Sequence, residues 1–244
     1  MKAFKGDLHI HTCLSPCADL EMSPLAIVDR SIKKGLDIIA ICDHNSAENA
    51  GAVVKAGAKR GLHVLPGMEI NSMEEVHVLA IFNSENQAGI MQDIIYNHLE
   101  GKNSPDIFGE QIVVNEYDQI EGYNDRMLLG ATRLKLNDIV QKVHEIGGLS
   151  IASHVDRPSY SVISQLGFIP SDLKLDALEI SYNTKIKSFI NSIPDIDELP
   201  ILTSSDAHFP NDIGRVYTSF FIEIPSVDEI RMALNKKSGR RVVH

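Results

Sequence analysis

The stretch that decides the fold is Asp7-Leu8-His9-Ile10-His11-Thr12, in which two histidines alternate with apolar residues. On a β-strand, residues two apart point to the same face of the sheet. The sequence therefore predicts that His9 and His11 present their imidazoles side by side, with Leu8 and Ile10 packed behind them. Such a pair is half of a metal site. An exposed pair on an edge strand would look the same, so the rest of the chain must decide.

Apolar runs alternate with helical patterns along the first third of the chain. Residues 23–35 begin with Ser-Pro and end in glycine, as a helix does, and the run 37–42 is typical of a buried parallel strand. A second helix over 46–59 leads to a third strand that begins at His63 and reaches Glu69. This alternation predicts an α/β barrel, in which functional side chains collect at the C-terminal ends of the strands. Metal-ligand side chains do follow the ends of the apolar runs, at His44, Glu69, His154, Asp206 and His208.

His77 opens its apolar run, 76–82, instead of closing it. Few residues separate Glu69 from His77, and a parallel crossover with a helix needs a dozen or more. The fourth strand is therefore predicted to run antiparallel to the third. That geometry places His77 at the same rim as Glu69.

The totals describe an ordinary globular chain of 244 residues, 43% hydrophobic and 23% charged. No break in composition divides it, so one domain is preferred to two small ones. No apolar run approaches the roughly 20 residues that span a bilayer, and no signal core precedes the first strand, so we expect no membrane and a cytoplasmic location. Three cysteines, an odd number, predict reduced thiols. The net charge of −10 argues against a protein that grips long nucleic acid.

The segment at about 101–133 loses periodicity and gains Gly, Asn, Asp and Pro, and it is too long for a plain connection. Its stretches 111–114 and 119–123 flank Asn-Glu-Tyr-Asp, which predicts a hairpin standing out from the body. We interpret the segment as an insertion that caps the rim.

The ordered motifs resemble those of the polymerase and histidinol phosphatase (PHP) superfamily, and the resemblance spans the chain. The motifs are Asp7 to Thr12, Cys42-Asp43-His44-Asn45, Pro66-Gly67-Met68-Glu69, His154 with Arg157, and Ser205-Asp206-Ala207-His208. The resemblance implies one domain over 1–244 with the insertion, folded as a distorted (β/α)7 barrel. It also implies two or three Zn, Mn or Fe ions at the C-terminal rim of the strands, and hydrolysis of phosphate esters.

Carried over position by position, the resemblance implies three groups of metal ligands. The first is His9, His11, Glu69 and Asp206; the second is Asp19, His44 and His208; the third is Glu69, His77 and His154. Asp19 lies farther from His11 than such a ligand usually does, so Glu21 is an alternative. Glu69 is the natural bridge between two cations.

We expect the imidazole ligands to donate hydrogen bonds to Asp7 and Asp43, which would fix their tautomers. Glu69, Asp206 and His208 are predicted to be catalytic. Arg157 and Arg215 are the arginines nearest the ligand motifs, and their planar forks match phosphate oxygens.

Several cations held together can lower the pKa of a bridging water and stabilise a leaving oxygen. The predicted function is therefore metal-dependent hydrolysis of a small phosphomonoester, such as a nucleotide, a nucleoside bisphosphate or histidinol phosphate. Three other classes stay open. They are an exonuclease or polymerase-associated phosphodiesterase, an amidohydrolase-like enzyme that cleaves C–N bonds, and a non-catalytic metal-binding protein.

Overall fold

The computed structural model describes residues 1–184, 189 and 199–243, and one curled nine-stranded sheet dominates them. The strands of that sheet and of a separate hairpin are β1 (Lys2–Ile10), β2 (Ile38–Ile41), β3 (His63–Asn71), β4 (His77–Ile81), β5 (Ile112–Val114), β6 (Ile120–Tyr123), β7 (Leu149–Ala152), β8 (Ala177–Ile180), β9 (Ile201–Thr203), β10 (Thr218–Ile222) and β11 (Arg241–Val243). The helices are α1 (Pro24–Lys33), α2 (Ala50–Ala58), α3 (Glu85–Tyr96), α4 (Pro105–Phe108), α5 (Leu136–Glu145), α6 (Val162–Leu166) and α7 (Val227–Leu234).

Seven strands follow one another around the curl in the order β1-β2-β3-β4-β7-β8-β9. Beyond β9, the chain at Ala207 forms a parallel bridge back to Ile10 at the end of β1. These features confirm the predicted α/β class and the distorted barrel. The sequence interpretation missed β10 and β11, which add to the β1 edge as antiparallel strands.

Strand β4 runs antiparallel to β3, as the short connection predicts. In the register of this pair Asn71 lies opposite His77, and Glu69 lies opposite Leu79. The first residue of β4 therefore lies beside the last residue of β3, next to the turn that joins the two strands. His77 reaches the same rim as Glu69 by this route.

Strand β1 departs from simple alternation. Leu8 packs inside the barrel with Leu65, Leu79 and Leu202, whereas Ile10 packs in the layer between the sheet and α1 and α2. The pairing of β1 with β2 shifts register between Asp7 and Ile10, which is a bulge. The expectation that Leu8 and Ile10 share a face is wrong. The bulge interrupts the alternation of side chains, so that Leu8 packs inside the barrel, Ile10 packs outside it and His9 reaches the rim.

Helix α7 closes the barrel at the end opposite the site. Val227, Ile230 and Leu234 belong to the same buried cluster as the barrel interior. The Val227 amide donates a hydrogen bond to Asn83, which follows β4, and the Arg231 side chain donates to the carbonyl of Gly148, just before β7. Ser226 caps the N-terminus of α7, since its Oγ accepts a hydrogen bond from the Glu229 amide. The open end of the barrel is therefore the rim with the ligands.

The predicted insertion contains the predicted hairpin, formed by β5 and β6. The hairpin is fastened to the body at its turn, where the Asp118 carboxylate accepts hydrogen bonds from Ser23 Oγ and from the Leu25 amide. Asp118 therefore caps the N-terminus of α1, since the Ser23 side chain accepts no hydrogen bond from the backbone amides of the helix.

A second tie joins the insertion to the rim. The buried Asn45 amide donates hydrogen bonds of 2.8 Å to the carbonyls of Leu128 and Gly130. Its oxygen accepts from the Asn71 amide. Next to these ties, Leu129 lines the cavity described below. The division into one domain with a capping insertion stays a prediction.

Gly67 lies in β3 at a point where β4 leaves no room for a side chain. An ideal Cβ on Gly67 would lie 2.5 Å from the carbonyl oxygen of Ala80, a backbone atom that cannot swing away. Gly67→Ala should therefore push the two strands apart and lower the free energy of unfolding by about 2 kcal/mol, as overpacking of a core does. Urea unfolding measures this. Gly122→Ala on β6, where a Cβ meets nothing within 4 Å, is the matched control and should unfold like the wild type.

Within the described residues, no helix combines the length and apolar character needed to cross a bilayer. Cys13 and Cys42 are buried free thiols, whereas Cys17 is exposed and lines the cavity. The thiol of Cys17 is therefore accessible from the cavity, unlike the buried thiols of the other two cysteines.

Candidate active site

The predicted metal ligands converge at the open rim of the barrel. His9 and His11 lie at the end of β1, His44 follows β2, Glu69 lies in β3 and His77 begins β4. His154, Asp206 and His208 lie in the loops after β7 and β9. Imidazole rings of neighbouring members lie 4.2 to 6.2 Å apart between centroids, so the group forms one continuous cluster.

Glu69 occupies the centre of this cluster. Its carboxylate oxygens lie 3.1 Å from His44 Nδ1, 3.1 Å from His77 Nδ1 and 3.2 Å from His154 Nε2. On the β1 side they lie 3.4 Å from His9 Nε2 and 3.6 Å from His11 Nε2. Only 1% of the Glu69 side chain is exposed. One buried carboxylate thus faces five imidazoles, which is the position that a bridging ligand needs.

Asp206 closes the cluster on the opposite side. Its Oδ1 atom lies 3.3 Å from His9 Nε2 and 3.2 Å from His11 Nε2, while its Oδ2 atom lies 2.6 Å from Arg157. Asp206 and His154 both adopt positive φ angles, 48° and 29°, which are uncommon for residues with a side chain. Such backbone strain persists where the surrounding structure enforces it, and here it aims both side chains at Glu69 and the β1 histidines.

Three groups of side chains have ligand atoms close enough to share a cation. They are His9, His11 and Asp206; His11, His44 and His208; and His44, Glu69 and His77. The first group matches three members of a predicted set. In the second, His11 stands where Asp19 is predicted. No group among the described residues includes Asp19, whose carboxylate instead accepts from the Glu21 amide, although the Asp19 amide donates to the His208 carbonyl.

The electrostatics of the cluster suit a cation. Although burial alone would raise the pKa of Glu69, the imidazoles of His77 and His9 lower that pKa well below its usual range. Burial would likewise lower the pKa of His9, but the carboxylates of Glu179, Asp206 and Glu69 raise it well above its usual value. The carboxylates therefore favour a positive charge at the rim. A divalent cation would supply that charge in place of a proton on His9 Nε2, the nitrogen that faces Glu69 and Asp206.

Unpaired polar atoms point to the same conclusion. In the described part of the chain, two atoms that face the cluster, His77 Nδ1 and Asp206 Oδ1, are buried without a hydrogen bond of normal geometry. Buried polar atoms of native proteins are nearly always satisfied. Imidazole nitrogens and carboxylate oxygens are ligands that Zn, Mn and Fe accept. The residues present therefore fit the metal ions that the family resemblance implies.

The hydrogen bonds behind the ligands differ from the predicted ones. Asp7 accepts from the backbone amides of Ser205 and Gly214, and Asp43 accepts from Thr12 and Ser15. The expectation that imidazoles donate directly to Asp7 and Asp43 is wrong, because both carboxylates fasten loops instead. Burial raises the pKa of Asp7 to about 6. The Asp43 carboxylate is linked to His11 through Ser15, whose Oγ lies 3.0 Å from His11 Nδ1.

Glu179 in β8 is the acidic residue that the sequence interpretation missed. His9 Nδ1 lies 3.0 Å from its Oε1 atom, and its carboxylate also accepts from the backbone amide of His154. The signal was present, since Glu179 is the acidic residue in an otherwise apolar buried strand. By holding the proton on Nδ1, Glu179 leaves Nε2 of His9 free to face Glu69 and Asp206.

Glu179→Gln should weaken metal binding about tenfold, because the amide supports the His9 tautomer less well and carries no charge. Titration of the metal-free protein with Zn²⁺ or Mn²⁺ measures the affinity. Glu145→Gln, at the exposed end of α5, is the control and should bind like the wild type. Equal affinities for Glu179→Gln and the wild type would contradict the assignment.

A cavity of about 240 Å³ opens onto the cluster. Its lining combines members of the cluster with five other side chains, Cys17, Leu129, Arg157, Ser159 and Tyr160. Arg157 therefore lies at the cavity, where the phosphate-binding role predicted for it from the sequence requires it to be. Arg215 is not part of the described lining, because its guanidinium pairs with Asp212 and lies 3.8 Å from the centre of the Tyr182 ring.

Family models match two parts of the chain. The model described as the PHP domain matches residues 7–169, and the model described as PHP-associated matches residues 195–238. The resemblance predicted from the motifs is confirmed.

Solved structures with this fold include the lesion-specific endonuclease Q from Pyrococcus furiosus. It is 20% identical, with a TM-score of 0.67, and the match covers 98% of this chain and 57% of that chain. An endonuclease Q complex with a 27-mer duplex that carries an abasic lesion gives a TM-score of 0.73. A protein of Bifidobacterium adolescentis, described only as a suspected metal-dependent phosphoesterase, is 19% identical with a TM-score of 0.62 over 95% of this chain and 96% of its own.

Among curated relatives, the uncharacterized protein YqxK of Bacillus subtilis is 29% identical over 113 residues. The match covers 43% of this chain and 28% of YqxK, so the chain spans about a quarter of that relative and little more than half of endonuclease Q.

The expectation of a small substrate, with long nucleic acid argued against, is contradicted by these findings. The fold is shared with endonuclease Q, which acts on a DNA duplex. Net charge misled because it is a sum over the whole chain, and five of the carboxylates that it counts are buried around the site, where bound cations would offset their charge. These are Asp7, Asp43, Glu69, Glu179 and Asp206.

Proposed function

Because the chain belongs to the PHP domain family, we propose that it hydrolyses phosphate esters with two or three divalent metal ions, Zn, Mn or Fe, at the rim of the barrel. The observation that carries the proposal is the convergence of six imidazoles, four of which line the cavity, around Glu69 and Asp206. Serine or cysteine nucleophiles are not required by this arrangement, since bound cations activate water and stabilise the leaving oxygen.

The number of ions follows from shared ligands. His11 belongs to two of the three candidate groups, and so does His44. His11 can offer the cluster only Nε2, because its Nδ1 lies 3.0 Å from Ser15 Oγ. Three cations with separate ligand shells would need more ligand atoms than the three groups hold, which supports either two ions or three ions that share ligands.

The side chains of the site have separable roles in the proposed reaction. Glu69 would be shared between cations and Asp206 would hold one of them, while His208 lies beside Asp206 and lines the cavity. Glu179 and Ser15 keep the β1 histidines in the tautomers that bind metal. Arg157, half exposed beside Asp206, orients the phosphate by its non-reacting oxygens.

The size of the cavity bears on the substrate. The cavity of about 240 Å³ has room for a phosphate with the sugar attached to it. We therefore propose a nucleotide unit as the substrate, either free or at a position of a nucleic acid strand that the rim can reach. The phosphorus would lie against Glu69 and Asp206, with the remainder of the unit towards Ser159 and Tyr160.

The test combines metal content with an ester panel. Protein purified without chelator is analysed for Zn, Mn and Fe. The same protein is assayed on two synthetic esters, p-nitrophenyl phosphate and bis-p-nitrophenyl phosphate, and on a mononucleotide, a 3′,5′-bisphosphate, histidinol phosphate and a short oligonucleotide. An amide substrate is included to test for cleavage of C–N bonds. We expect at least two ions per chain, turnover of phosphate esters, and loss of turnover with EDTA that Mn²⁺ or Zn²⁺ restores. Turnover of the amide alone, or full turnover without metal, would contradict the proposal.

A further inference from the structure

Tyr160 stands at the mouth of the cavity in a conformation that its residue type disfavours. Its φ angle is 56°, in the left-handed region, where a bulky side chain is a genuine outlier. The conformation is enforced, since the Tyr160 carbonyl accepts a hydrogen bond of 2.9 Å from the His77 amide. Strain of this kind persists where the position of a side chain matters.

The loop that carries Tyr160 is anchored on both sides. Asp156 accepts hydrogen bonds from Ser181 and Thr184 at the end of β8. At the other end Ser161 begins α6 with a capping box, and its hydroxyl also donates to the carbonyl of Arg157. Arg157 and Tyr160 therefore project from a loop whose ends are fixed.

The two faces of the Tyr160 ring have different surroundings. One face stacks on the imidazole of His77, with 4.6 Å between ring centroids and an interplanar angle of 21°. Among the described residues no other ring packs on Tyr160, and 42% of the residue is exposed. Because Tyr160 also lines the cavity, a flat aromatic group that enters beside the phosphate meets the ring that already covers His77.

We propose that Tyr160 is a specificity residue that stacks on the base of the nucleotide unit, while Arg157, three residues earlier, holds the phosphate. This inference rests on the proposed function and names the part of the substrate that the loop recognises. Base stacking on an aromatic side chain is tolerant of sequence, since every base has a flat face. The loop would therefore prefer nucleotides over sugar phosphates without choosing among bases.

A purely structural role for Tyr160 makes a different prediction. If the ring only shields His77 from water, its removal should weaken metal binding and slow all substrates alike. If the ring stacks on a base, its removal should slow substrates with a base and leave those without a base unchanged. Paired substrates distinguish the two roles.

The experiment uses two pairs of substrates, adenosine 5′-phosphate with ribose 5-phosphate, and a dinucleotide with its counterpart lacking one base. The variants are Tyr160→Phe, Tyr160→Ala and Tyr160→Gly, and Tyr123→Ala on the exposed hairpin is the control. Glycine adopts the positive φ without strain, so Tyr160→Gly keeps the test available should the alanine variant fold poorly. Metal content is measured for every variant.

We expect the ratio of kcat/KM for the base-bearing substrate to that for its partner to fall about tenfold in the alanine and glycine variants. The ratio should be unchanged in Tyr160→Phe and Tyr123→Ala, with metal content unchanged throughout. An equal loss on both members of a pair, or no loss on either, would overturn the inference while the proposed function stands. If the wild type cleaves no phosphate ester, the proposed function fails and the inference fails with it.

Discussion

Replacing Glu69 by glutamine should abolish turnover and release more than one metal ion per chain. A neutral amide is a poor bridge between cations, and the variant loses the charge around which five imidazole nitrogens lie within 3.1 to 3.6 Å. The loss should exceed the roughly 10–100-fold effect that outer hydrogen-bond partners of metal ligands produce. Elemental analysis and the ester assay measure the two effects on the same preparation.

Glu75→Gln is the matched control, since Glu75 is an exposed glutamate in the turn that follows β3. It should keep both its metals and its rate. Circular dichroism of both variants shows whether the fold is retained. Near-normal turnover in folded Glu69→Gln would mean that another residue bridges the ions.

Arg157→Ala should lower kcat/KM for phosphate esters on the order of 10²-fold, which is the effect of losing a charge-assisted contact to the transition state. Arg157 is the arginine that lines the cavity in the described part of the chain, and its NH1 atom lies 2.6 Å from Asp206. Assays at saturating metal separate this loss from weaker metal binding. Arg157→Lys should recover only part of the rate, because an ammonium group lacks the planar fork.

Arg133→Ala removes an exposed arginine that pairs with Glu100 and should leave the rate unchanged. Arg215→Ala tests whether the position of an arginine in the structure, and not its proximity to a ligand motif in the sequence, decides its role. From sequence the two arginines are equivalent, whereas in the structure Arg215 is paired with Asp212 away from the cavity. A loss in Arg215→Ala as large as in Arg157→Ala would show that Arg215 moves to the substrate during the reaction.

The sequence predicts the position of the ligands better than the details of the strands that carry them. His44, Glu69 and Asp206 could be placed together because parallel strands present their C-terminal ends at one edge. His77 could be added because a short connection forces an antiparallel return. These inferences depend on chain direction and loop length, which a sequence records.

Other features depend on local deviations that periodicity does not record. Alternation assigns Leu8 and Ile10 to one face, but a bulge separates them. Residue type makes Asp7 and Asp43 candidates for imidazole partners, yet loop amides reach them first. Glu179 is the residue that pairs with a ligand imidazole, that of His9. Alternation alone would count it only as one polar residue in a short strand.

The five residues between Asn71 and His77 set a limit on how this chain can change in length. Side chains along a strand alternate between faces, so removing a single residue from that turn would send the imidazole of position 77 away from Glu69 and swap every β4 side chain between inside and outside. The hairpin turn of segment 101–133 is held in a different way, by the contacts of the Asp118 side chain with Ser23 and Leu25 and not by the register of a strand that carries a ligand. Among descendants of this chain, the turn before His77 should therefore keep its residue count.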